Sequence, residues 1–149
     1  MENQNLVNFL NKTLSNYFVM FVKLQRYHWF VQGKQFFVLH EKFEELYKMF
    51  GDDIDVIAER ILMINGKPYA TMAKFLEEAS LEEANADHRE TEMLTQLKED
   101  FETIVKDIKE EGIPLAEEAK DEPTADLLIE YQSKLEMHLW MFNAYLADS

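Results

Sequence analysis

Residues 27–60 read YHWFVQGKQFFVLHEKFEELYKMFGDDIDVIAER. Two helical patterns meet here at Gly33. His28 ends the first, and His40, Asp55 and Glu59 share the second. His40 and Asp55 are 15 residues apart, or ~22 Å along one straight helix. A metal ion with ligand bonds near ~2 Å cannot bridge that gap. If all four side chains hold the same ion, they come from two chains lying antiparallel.

Outward from this stretch, the same apolar spacing recurs four times. Its steps alternate between three and four residues, which places an apolar stripe on a helix. The first line is Leu10, Leu14, Tyr17, Phe21, Leu24 and His28. The second is Phe36, Leu39, Phe43, Leu46, Phe50, then Ile54, Ile57, Ile61 and Ile64. The third is Leu94, Leu97, Phe101, Ile104 and Ile108. The fourth is Leu128, Tyr131, Leu135, His138, Phe142 and Tyr145. Strand-like alternation is absent. The expected fold class is all-α, a four-helix bundle in a single domain over residues 1–149.

The breaks between the lines agree. Gly33 implies a short hairpin between the first two helices. Asn65-Gly66 and Pro68 stop the second helix. Residues 71–79 (TMAKFLEEA) read as a short extra helix in a long crossover, whose length allows the second and third helices to run parallel. Ser80 with Glu83 resembles a capping box that starts the third helix. Gly112 and Pro114 should kink or end that helix. Asp121, Glu122 and Pro123 mark a turn before the fourth. There is no internal repeat and no low-complexity linker.

Composition narrows the function. The chain has 149 residues, nearly half of them apolar, and no cysteine. Disulfides, thiolate zinc sites and cysteine nucleophiles are excluded. A disulfide-free chain fits a reducing compartment, and the expected location is cytoplasmic. The opening residues MENQNLVNFL lack the basic start and long apolar run of a signal peptide. No stretch is apolar enough to span a membrane. Fifteen basic against 29 acidic residues leave a net charge of −14. Such a surface repels phosphate backbones and attracts cations. Neither end, with Glu2 and Asp148, resembles a basic nucleic-acid-binding tail.

On a helical wheel, the core residues of the second helix fall within an arc of roughly 80°. His40, Glu44, Asp55 and Glu59 share a separate arc roughly 130° away, with Gly51 and Ala58 among them. One reading is an interface stripe packed against a two-fold mate, its small residues admitting another backbone. Antiparallel pairing would then build two identical sites per dimer. The other is a solvated polar face with i,i+4 carboxylates, which spacing alone favours because such ion-pair networks are common. His28, on an apolar line, reads by default as a hydrogen-bonded core histidine. His138 takes the matching place in the fourth helix, with no acid at ligand spacing, and belongs to the core. His88, beside Asp87, is a surface residue. No histidine has a glutamate three residues before it. The Glu-x-x-His pairs of di-iron bundle enzymes are therefore missing, which argues against a metal site inside one bundle.

Taken together, Tyr27–Arg60 closely resembles the signature of the Dps family of mini-ferritins. That signature is His-Trp-x-Val-x-Gly followed by Phe, Leu-His-x-x-Phe, and Asp-x-x-Ala-Glu-Arg, the last matched by Asp55, Ala58, Glu59 and Arg60. The segments DEPTADLL and HLWMFNAYL also look like this family's final helix. The resemblance covers essentially the whole chain. It implies a ferritin-like bundle, twelve of which form a hollow shell with ferroxidase centres on the dimer two-folds. It implies that His28 and His40 from one subunit join Asp55 and Glu59 of its mate around iron, with Glu44 as a further carboxylate. The implied reaction is oxidation of Fe(II), preferably by hydrogen peroxide, with ferric mineral stored in the cavity and protection against oxidative stress. Zinc is a possible surrogate for iron, since the donors suit both. Trp29 lies near the centre in this reading and could supply an electron, or it packs at the interface. Asp121, Asp126 and Glu130 match acids that line three-fold pores in the family, where they would attract Fe(II). Acids near a helix start are equally explained by the helix dipole. Some family members compact DNA through a lysine-rich tail. This chain has none, so no direct DNA binding is expected. The alternative function is a structural or nucleoid-associated shell protein without ferroxidase activity.

Overall fold

The computed structural model describes residues 3–84 and 89–147. Among them the ordered elements are helical: α1 (Gln4–Phe30), α2 (Phe36–Met63), α3 (Met72–Glu78), α4 (Glu90–Asp107), α5 (Ile113–Glu118) and α6 (Glu122–Leu146). The chain is all-α. The four long helices are those that the four apolar lines predict, and α3 is the short extra helix of the crossover.

One compact unit runs from Leu10 to Met93. In it, Leu39, Phe43, Leu46, Phe50, Ile57 and Ile61 of α2 are buried, as are Leu10, Leu14, Tyr17, Leu24 and His28 of α1. Tyr17 meets Phe50 edge-on at 4.7 Å, and Phe18 stacks on Phe75 of α3 at 4.1 Å. The α1–α2 hairpin turns at Gly33, whose φ of 120° suits only glycine. A side chain there would also run into the Glu90 carboxylate, which accepts a hydrogen bond from the Gln35 amide (3.2 Å). At the far end of α2, the Gly66 amide reaches back to the Ile61 carbonyl and the Asn65 amide to that of Leu62. This is a Schellman stop, with Asn65 in the left-handed conformation at φ 68°.

Two buried asparagines of α1 anchor the crossover. Asn11 donates to the Lys67 carbonyl (3.0 Å) and accepts from the Tyr69 amide (2.9 Å). Asn16 donates to Ser80 Oγ (3.1 Å) and accepts from the amides of Ser80 (2.8 Å) and Leu81 (3.1 Å). This corrects the expected capping box. The Ser80 and Leu81 amides are spent on Asn16, and Ser80 ends the crossover's anchored segment instead of opening a helix. The next helix begins at Glu90, with Glu90 and Glu92 in its first turn, where acids suit the dipole. His88 and Asp87 lie outside the described residues.

The second unit joins the segment up to Phe9 with Leu94 onward. Leu94, Leu97, Phe101, Ile104 and Ile108 are buried, as are Leu128, Tyr131, Leu135 and Phe142 of α6. His138 is buried too, with its ring edge-on to Phe101 at 6.3 Å, which agrees with a core role. The break at Gly112 and Pro114 is a wide π turn over Ile108–Gly112, closed by the Ile113 amide on the Ile108 carbonyl. The wider turn absorbs the amide that Pro114 lacks. Gly112 is buried against Phe9, where a side chain would collide with the ring. The five-residue turn and the short α5 were not separately legible in the apolar pattern. A second Schellman stop follows α5, with the Asp121 amide on the Ala116 carbonyl and Lys120 held left-handed at φ 57°.

Candidate metal centre

The hairpin brings His28, from the last turn of α1, against His40, from the second turn of α2. Their contact is reciprocal. His28 Nδ1 lies 2.6 Å from the His40 carbonyl oxygen, and His40 Nδ1 lies 2.7 Å from the His28 carbonyl oxygen. A carbonyl only accepts, so both Nδ1 atoms carry the proton and donate it. Both Nε2 atoms are then left as lone-pair donors for a metal. The rings stack at 3.8 Å with 12° between planes. Phe36 stacks on His40 from its own helix (4.9 Å), and Tyr47 meets His28 edge-on (5.5 Å). His28 is buried and His40 half-buried.

Glu44, one turn beyond His40, brings Oε1 to 3.6 Å from His28 Nε2. Its other oxygen accepts from Lys48 Nζ at 2.9 Å. That hydrogen bond, then the ammonium charge, holds the Glu44 carboxyl below the usual glutamate value. In the tautomer set by the carbonyl, His28 Nε2 and Glu44 Oε1 are both acceptors. A neutral ring leaves two acceptors facing across this gap, which a cation between them would satisfy, whereas a protonated ring would pair with the carboxylate directly. Ligand atoms about 2 Å from one ion lie about 3–3.5 Å apart at ordinary coordination angles, close to the observed spacing.

Asp55 and Glu59 sit farther along α2, both exposed. The helix runs unbroken between them and His40, so the chain's own histidines and acids remain apart. Among the described residues, no three His, Asp or Glu side chains gather closely enough to hold an ion. Gly51 lies against Phe21 of its own α1, whose ring would lie 3.1 Å from an added Cβ. Trp29 is 66% exposed and Phe37 83%, with Phe30 and Val38 also open at this end of the hairpin.

Asp121 is the N-cap of α6. Its oxygens accept from the Thr124 amide (3.1 Å) and hydroxyl (2.5 Å). Asp126 and Glu130 are exposed on the same helix. Lys48 and the two histidine carbonyls escaped the sequence reading. The i,i+4 spacing of Glu44 and Lys48 was the only available signal for the former.

Comparison with known proteins supplies the class. Residues 7–149 match the ferritin-like domain family. The DNA protection during starvation protein 2 of Bacillus anthracis is 44% identical, over 97% of this chain and 98% of that protein. A crystal structure of a Dps protein from Bacillus brevis superposes with a TM-score of 0.94 at 44% identity, covering 97% of each chain. A Dps structure from Vibrio cholerae O1 superposes at 0.93 with 35% identity, covering 97% of this chain and 91% of that one. It is described as a member of a broad superfamily of ferritin-like diiron-carboxylate proteins. The chain belongs to the ferritin-like family, and within it to the Dps mini-ferritins. Its fold is accordingly the ferritin-like four-helix bundle with a short helix in the crossover. No helix of the described residues is long and apolar enough to cross a membrane.

Proposed function

We propose that this protein is a ferroxidase and iron store, assembled as a homododecamer with its centres on the dimer two-folds. The observation that carries this reading is the crossed histidine pair, which commits both Nδ1 atoms to carbonyls and leaves both Nε2 atoms for a metal, with Glu44 beside that of His28. Fe(II) is the substrate. His28 and His40 bind it through Nε2, Glu44 adds an oxygen, and Asp55 and Glu59 of the mate complete the set. The carboxylates favour Fe(III) over Fe(II) by charge. Two Fe(II) each give up one electron; the peroxide O–O bond breaks, takes both electrons and two protons, and leaves as two waters. Pairing two irons with one peroxide avoids release of a hydroxyl radical. Trp29, adjacent to His28, can supply an electron when only one iron is bound, or pack against the mate.

The exposed apolar side chains at the hairpin end support an interface there, since large open apolar patches mark contact surfaces. Asp121, Asp126 and Glu130 draw Fe(II) towards the cavity, while Asp121 also caps α6. DNA is protected by removal of iron and peroxide. A net charge of −14 opposes direct binding.

The test is anaerobic loading with Fe(II), addition of hydrogen peroxide, and ferric absorbance in wild type and His40→Ala. Loss of the fast phase in the variant, by about tenfold or more, is expected. Equal fast oxidation by both would reject this centre, and oxidation no faster than without protein would leave a shell protein without ferroxidase activity.

A further inference from the structure

Glu44 is shared between two neighbours. Oε2 is 2.9 Å from Lys48 Nζ, and Oε1 is 3.6 Å from His28 Nε2. The two residues lie one turn apart on α2 with Glu nearer the N-terminus, the favourable order for such a pair. Within the single chain, the Lys48 side chain is 65% exposed. It can leave the carboxylate at little cost, because exposed ion pairs are weak. A divalent ion bound at His28 Nε2 would offer the same carboxylate twice the charge at a shorter distance.

We propose that Lys48 is a positioning residue that competes with metal for the charge of Glu44: it pairs with Oε2 and leaves Oε1 facing the centre, so that a divalent cation bound at Oε1 shares the carboxylate with the ammonium. This rests on the metal centre proposed above. Lys48 keeps the carboxylate charge paired and the side chain turned towards the centre while metal is scarce. It also sets the metal concentration at which Glu44 is recruited. Lys42 pairs with Glu45 (2.6 Å) on the same helix, with a less exposed side chain than Lys48. It therefore serves as the control for charge alone.

The experiment is calorimetric titration of the assembled protein with Zn(II), which binds the same donors without redox chemistry. Lys48→Gln should tighten zinc binding about two- to fivefold, the worth of an exposed ion pair. The gain should vanish in the Glu44→Gln background, stay absent in Lys42→Gln, and be reversed by Lys48→Arg. No gain in Lys48→Gln, an equal gain in Lys42→Gln, or a gain that survives Glu44→Gln would overturn the assignment of Lys48. Undiminished zinc binding in His40→Ala would instead overturn the centre itself.

Discussion

Two residues, His28 and His40, carry most of the chemistry, and each orients the other through the backbone. Their Nδ1–H groups are committed to carbonyls, so the metal-binding nitrogen is chosen before any metal arrives. Nitrogen NMR of the apo protein should find both rings in the Nδ1-protonated tautomer at neutral pH. A ring in the other tautomer would contradict the crossed arrangement. Glu44 offers a second check. Lys48 depresses its carboxyl below the ordinary value of 4.5, so the charge pair persists above that value and is lost as pH falls through the depressed one. Carboxyl NMR should show Glu44 titrating low in wild type and returning towards 4.5 in Lys48→Gln. The chain's residue types announced both histidines as candidates. They did not reveal that backbone carbonyls would select the tautomer, because that depends on two helices meeting.

At the scale of elements, the crossover depends on Asn16 of α1, whose amide makes three hydrogen bonds with Ser80 and Leu81. Asn16→Ala leaves two backbone amides to find other partners and should cost about 2–3 kcal/mol, read by denaturant unfolding. Lys120 points the other way. A left-handed lysine is strained relative to glycine, so Lys120→Gly should stabilise the protein by about 0.5–1 kcal/mol after the entropy of the added glycine is counted. Gly112→Ala should destabilise it by about 1–3 kcal/mol through overpacking against Phe9. Helix identity was legible in the apolar lines, since most residues on them are buried and the rest, such as Phe21 and Ile54, are half-buried. Helix boundaries were less so. The Ser80–Glu83 pattern matched a capping box, but a long-range partner, Asn16, took its donors first.

For the whole molecule, charge and assembly govern behaviour. A net charge of −14 should keep the protein from retarding DNA in a gel shift at low magnesium. Tight retention would show that a local basic surface outweighs the total. The unbroken α2 separates His40 from Asp55 and Glu59, so metal affinity and assembly should be linked. Gel filtration should report a twelve-chain species, and variants that fall apart into single chains should bind zinc more weakly.

The sequence alone determined the helical class, because an apolar stripe at helical period has only one way to be buried. It also determined that His40 cannot meet Asp55 within one chain, because the rise of a helix is invariant. Tertiary structure decided what no spacing could encode. It set which nitrogen of each histidine ring meets a carbonyl, that Gly51 lies against the chain's own Phe21, and which donors Asn16 consumes. Those outcomes are settled by contacts between distant segments, and side chains adopt them only once the helices have packed.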